Sequence, residues 1–138
     1  EQEVTLDLMR GDPGRGGLFY SGLAIRFANA MSPGKLLDAD GRTDAAQIFG
    51  RRSAWCGYAG EHVEDGRVYG IAVIDHPDNP RHPTTWWVRN RPDYALLHPS
   101  PTYHERLYIP GGDSVRFRYR IVLHRGHTEP DAIERLGW

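Results

Sequence analysis

The run "RVYGIAVIDH", residues 67–76, is apolar at nearly every position from Tyr69 to Ile74 and then stops at Asp75 and His76. A strand that is apolar on both faces must be covered on both faces. A chain carrying such a strand therefore needs two packed layers rather than one solvated sheet. The next segment narrows the choice further. Pro77, Pro80 and Pro83 each fix φ and hold the preceding residue extended, so no helix continues through this stretch.

Elsewhere the apolar period is two. Val4, Leu6 and Leu8 alternate with Thr5 and Asp7 in "EVTLDLMR", and Leu23, Ile25 and Phe27 alternate with Ala24, Arg26 and Ala28 in "SGLAIRFANAM". In "SVRFRYRIVLH" Val115, Phe117, Tyr119 and Ile121 form an expected core face, opposite a ladder of Arg116, Arg118 and Arg120. Further strands are predicted at Lys35–Asp38, Ala46–Phe49, Ala54–Tyr58, Thr85–Arg89 and Tyr94–Leu97, with a short one in "ERLYI". "EHVEDG" is a hairpin signal, because Asp-Gly accepts the positive φ of a tight turn. "HTEPDAIERLGW" predicts a short C-terminal helix, with Thr128 as cap, Pro130 in the first turn and Asp131 at the capping-box position. Sixteen glycines and ten prolines disfavour long helices. About nine short strands separated by such turns predict an all-β fold, an antiparallel β-sandwich formed by residues 1–138 as one domain.

Composition excludes some partners. The 17 basic and 18 acidic residues are interspersed, so no patch invites nucleic acid or an anionic membrane. No apolar run approaches the ~20 residues of a spanning helix. Cys56 is the single cysteine and is expected as a small buried residue, which favours a reducing, cytoplasmic setting.

The residues with chemistry gather at the end of the apolar strand. Asp75, His76 and His82 are candidates for proton transfer, since imidazole has a reference pKa suited to it. A proline-stiffened loop loses little entropy on ordering and can hold His76, Arg81 and His82 in set directions. The same loop could equally be rigid architecture whose Asp75 and His76 satisfy backbone groups. Trp86 and Trp87 point to opposite faces of a strand, so one indole belongs to the core. The other either joins it or forms a platform for a sugar ring beside Arg89. Asn79, Arg81, Trp86, Trp87 and Arg89 are the candidate substrate contacts. His98, His104 and Glu105 are further acid–base candidates, and the arginine ladder reads as a salt-bridged face. No metal-ligand signature is present among the seven histidines, so neither a metal nor a cofactor is assigned.

The blocks "GLAIRFANAM", "FGRRSAWCGYAG", "DGRVYGIAVIDHPDNPRHPTTWWVR" and "DSVRFRYRIVLHRG" resemble a bacterial family labelled methane oxygenase PmoA-like, over most of the chain. The resemblance is to the C-terminal half of that family's domain. It implies an upstream segment or partner chain carrying a histidine-rich "HHRG"-type motif, absent here. It also implies half of a large sandwich like those of sugar mutarotases. The matching candidates are Asp75, His76, Asn79, Arg81, His82, Trp86 and Arg89. The leading expectation is a carbohydrate-active or carbohydrate-binding protein with a small sugar-like ligand. The alternatives are a metal-dependent oxygenase completed by upstream histidines and a non-catalytic interaction domain.

Overall fold

The structure, a computed structural model, describes residues 4–6 as backbone, and residues 22–31 and 33–138 in full. Its strands in chain order are β1 (Val4–Leu6), β2 (Ile25–Phe27), β3 (Lys35–Asp38), β4 (Arg51–Arg52), β5 (Trp55–Glu61) and β6 (Val68–Asp75). β7 (Thr85–Arg91), β8 (Tyr94–Pro99), β9 (Leu107–Ile109) and β10 (Tyr119–Arg125) follow. Helix α1 (Ala45–Ile48) lies between β3 and β4, and α2 (Pro130–Arg135) follows β10. Two four-stranded antiparallel sheets, ordered β10-β6-β5-β3 and β2-β8-β7-β4, form the sandwich, with β1 and β9 paired apart from them.

The continuous apolar strand takes the place its composition demands. β6 runs between β5 and β10, and the two faces of its sheet are both covered. On the inner face Val73, Cys56, Tyr58 and Leu36 meet Phe27, Trp86, Val88, Ala95 and Leu97 of the second sheet, closed by Ile48 of α1. On the outer face Ala72, Ile74 and Trp55 pack under Ile133 of α2. Phe27 and Tyr58 stack across the layers at 4.0 Å, and the Tyr58 hydroxyl donates to the Met31 carbonyl at 2.7 Å.

Four local expectations change. The segment expected as a strand near Ala46–Phe49 is helix α1, because Asp44 caps it by accepting from Ala46 N at 2.6 Å. The strand around Leu23–Ala28 is short, since a 3-10 turn at Asn29–Met31 ends it. Thr128 does not cap α2. Glu129 holds that position without a side-chain bond, while the Thr128 hydroxyl lies 3.3 Å from His124 Nε2. The strand expected over residues 114–124 begins only at Tyr119, whose partner is Asp75, the last residue of β6. Nor is its apolar face fully core. β10 is the edge strand of its sheet, and Ile121 is 48% and Leu123 75% exposed. The hairpin forms as expected, with Gly66 at φ 65° and His62 N bonded to the Arg67 carbonyl. Leu8 and the turn "GDPGRGG" lie outside the described residues.

Cys56 is fully buried, and burial first and the charge of Asp38 second push its thiol well above the ordinary range. In native protein the thiol is expected to resist a disulfide reagent such as DTNB and to react only on unfolding. A rapid native-state colour change would contradict its placement. Gly60 has a separate role: a Cβ there would sit 2.1 Å from the Met31 carbonyl oxygen. That oxygen belongs to backbone and cannot retreat as a flexible side chain could. Gly60→Ala is expected to cost about 1–3 kcal/mol, read as a lower urea midpoint at unchanged slope.

Candidate functional site

Asp75 ends β6 with its carboxylate 1% exposed, at the end of the sandwich interior. Its Oδ1 accepts from Asn79 Nδ2 at 2.7 Å. Its Oδ2 lies 2.8 Å from His82 Nδ1 and accepts from Thr84 N at 2.9 Å. Three donors thus replace the water this anion loses. They also tie the end of one sheet to Thr84, the residue before β7 of the other. Burial first, and the charge of Asp75 second, hold the Tyr119 phenol well above its ordinary range.

Asn79 extends the network. Its Oδ1 accepts from Arg118 N at 2.7 Å, and its Nδ2 donates to the Arg118 carbonyl at 2.7 Å. One side-chain amide engages both backbone groups of Arg118 and supplies the acceptor for its N–H that a strand neighbour would otherwise give. This explains why the β10 ladder stops at Tyr119. The chain before it runs beyond the end of β6, and a side chain takes over. His76 N also donates to the Arg118 carbonyl at 3.2 Å, and the Arg118 guanidinium bonds Asp78 at 2.8 Å. His76 Nδ1 accepts from Asp78 N at 3.0 Å, which leaves the ring proton on Nε2. The ring lies 4.2 Å from the indole of Trp138, over which the Arg120 guanidinium also sits at 4.6 Å. Arg120 further contacts the carbonyls of Leu136 and Gly137.

His82 differs from its neighbours. Nδ1 faces a buried carboxylate, and its side chain is 25% exposed. A bond from Nδ1–H to a carboxylate makes Nε2 the basic nitrogen of the ring and fixes its orientation. The peptide that follows, His82–Pro83, is cis.

The structure brings together Asp75, His76, Asn79 and His82 but assigns the remaining candidates elsewhere. Arg81, at φ 68°, turns its guanidinium onto the carbonyls of Pro101, Glu105 and Arg106 at 2.6–2.8 Å. Its two terminal nitrogens bind main chain, its Nε lies 3.4 Å from the Glu105 carboxylate, and it fastens the loop to residues 101–106. Trp86 and Trp87 do take opposite faces, yet both are buried. Trp86 enters the core with Nε1 bonded to the Ser53 carbonyl at 2.9 Å, and Trp87 is covered by Phe49 and His98. Neither ring is the platform that one of them could have been. Arg89 shares the outer face of β7 with Trp87, on the sheet opposite β6, and stacks on Trp87 and Phe49. His98 is buried against the Leu23 carbonyl at 2.7 Å. Among the described residues, no group of three or more His, Cys, Asp or Glu side chains converges as a metal site.

The exposed indole of this region is Trp138, 51% exposed, which sequence reasoning missed because it follows the helix without periodic context. Tyr119, expected on the core face, packs against the inner cluster and is also the cross-strand partner of Asp75. Only the placement of Asp75 at a strand end could have signalled that neighbour.

Asp75→Asn replaces a pure acceptor by an amide whose own donors face those of Asn79, His82 or Thr84. A loss of about 3–5 kcal/mol is expected, measured by chemical denaturation. A change below about 1 kcal/mol would show that the carboxylate does not hold the loop.

Residues 1–137 match a family described as a family of unknown function, DUF6807. No curated protein and no solved structure matches the chain. None of the described helices is long and apolar enough to cross a membrane.

Proposed function

We propose that this chain, which belongs to the DUF6807 family of unknown function, is a carbohydrate-active β-sandwich protein in which His82, held by Asp75, transfers the proton. The observation that carries this reading is the 2.8 Å contact between His82 Nδ1 and the buried Asp75 carboxylate. A carboxylate behind an imidazole orients the ring and stabilises the charge that develops when Nε2 takes a proton. A sugar is favoured because the network is contiguous from His82 through Asp75, Asn79 and Arg118 to Asp78, His76 and Trp138. It ends in a half-exposed indole flanked by the Arg120 guanidinium and the His76 imidazole. An indole face packs against the C–H face of a pyranose while such groups meet its hydroxyls.

On an aldose the step is ring opening. His82 Nε2 takes the anomeric hydroxyl proton, the bond between the anomeric carbon and the ring oxygen breaks, and the ring oxygen is protonated by water. Reclosure on the other face returns the proton and gives the opposite anomer. Arg81 and Arg89 take no part, the first being bound to main chain and the second lying on the other sheet. A metal-dependent oxygenase would need ligands beyond His76 and His82, whose Nδ1 atoms already face Asp78 N and Asp75.

One observation favours a non-catalytic reading instead. Asn79 and Arg81 bond chiefly to the main chain, as in a loop that is purely architectural. Polarimetry on a panel of aldoses separates the two. Acceleration of mutarotation is expected for at least one sugar, falling by ~100-fold or more in His82→Gln assayed below that variant's own unfolding midpoint. Trp138→Ala is expected to weaken binding of the same sugar, seen by calorimetry. If no aldose binds or mutarotates faster, or if His82→Gln matches the parent, the loop is architecture and the reading fails.

A further inference from the structure

A groove of about 420 Å³ lies between α1 and β7, away from the Asp75 network, with Ala45, Ala46, Phe49, Arg89 and Arg91 among its walls. Arg89 is exposed and stacks on two rings at once, 4.9 Å above Phe49 and 5.2 Å from Trp87. Stacking through its face fixes the plane of a guanidinium and does not consume its N–H edge. Among the described residues no carboxylate lies within ion-pair distance of Arg89, whereas Arg91 in the same groove is neutralised by Asp93 at 2.7 Å. Among the described residues the groove therefore holds one positive charge with no carboxylate partner, presented edge-on beside an apolar floor of two alanines and a phenylalanine.

We propose that this groove binds a small organic monocarboxylate with an apolar body. A carboxylate matches the fork of a single guanidinium bidentately and cancels its charge. A phosphate dianion would leave a negative charge facing apolar walls. The apolar part of the ligand rests on Ala45, Ala46 and the exposed edge of Phe49. The site stands on Arg89 and not on His82, so it is independent of the proton-transfer reading.

Benzoate serves as the probe, with neutral benzamide and inorganic phosphate as comparisons, followed by calorimetry and by NMR shifts on the intact chain. Saturable benzoate binding is expected, weaker by ~10-fold or more for benzamide and phosphate. Arg89→Gln is expected to reduce benzoate affinity by ~10-fold or more with thermal stability retained, since the residue is exposed. His82→Gln leaves benzoate binding unchanged while abolishing any sugar activity, so the two proposals fail separately. Absence of saturable benzoate binding, equal binding of phosphate, or undiminished binding in Arg89→Gln overturns the assignment.

Discussion

A buried carboxylate holds the end of this sandwich together. Asp75 has almost no contact with solvent, and an anion in that position costs several kcal/mol unless its lone pairs are filled. They are filled from the side chains of Asn79 and His82 and the backbone of Thr84. Each donor belongs to the segment that carries the chain from one sheet to the other. The electrostatic demand of one residue thus sets the path of the crossover, and the start of β7 follows from it. Proline alone would not do this. Pro77, Pro80 and Pro83 narrow the backbone choices, but the direction of the loop comes from the donors that must reach Asp75.

The layers were legible because their signal is repetitive. Six successive apolar residues at 69–74 require cover on both faces, and both the second sheet and α2 supply it. The period-two segments found their strands, and the tight turn at Asp65-Gly66 found its hairpin. What could not be read is where a strand stops for want of a neighbour. Arg116 to Arg120 alternate as well as any stretch in the chain, yet only from Tyr119 does β6 lie alongside. The amide of Asn79 takes the Arg118 N–H and shares the Arg118 carbonyl with His76 N, and no pattern in the sequence marks a side chain as a strand substitute. Helix α1 is a similar case. Its four residues are too few for a period, and the cap at Asp44 decides them.

The same contrast explains the candidate site. Residue types and rigidity draw attention to 75–82, because a buried strand that ends in Asp-His must settle two polar groups. Side-chain direction was beyond reach. Arg81 has its guanidinium on three carbonyls because its left-handed backbone turns it towards residues 101–106. Trp87 is covered because α1 brings Phe49 across the outer face of β7. Both outcomes depend on segments distant in sequence, so the aromatic surface moved from the Trp86–Trp87 pair to Trp138.

The histidines show what the arrangement can do chemically, because their partners sort them. His98 is buried against the Leu23 carbonyl, a partner that fixes the orientation of the ring. His76 accepts a backbone proton at Nδ1 and lies under an indole, so its remaining N–H is a donor. His124 sits where Gly70 leaves space for its ring, with a hydroxyl as neighbour. His62 has a carboxylate 3.8 Å away, beyond hydrogen-bond reach and on an open turn. His82 alone among these combines a hydrogen-bonded buried carboxylate on one nitrogen with solvent access for the ring. A purely architectural loop could satisfy Asp75 with Asn79, Thr84 and any third donor, such as a serine hydroxyl. An imidazole adds a second ring nitrogen, and the bond to the carboxylate keeps that nitrogen in one orientation. That surplus over what the fold requires is the physical reason for proposing proton transfer at His82.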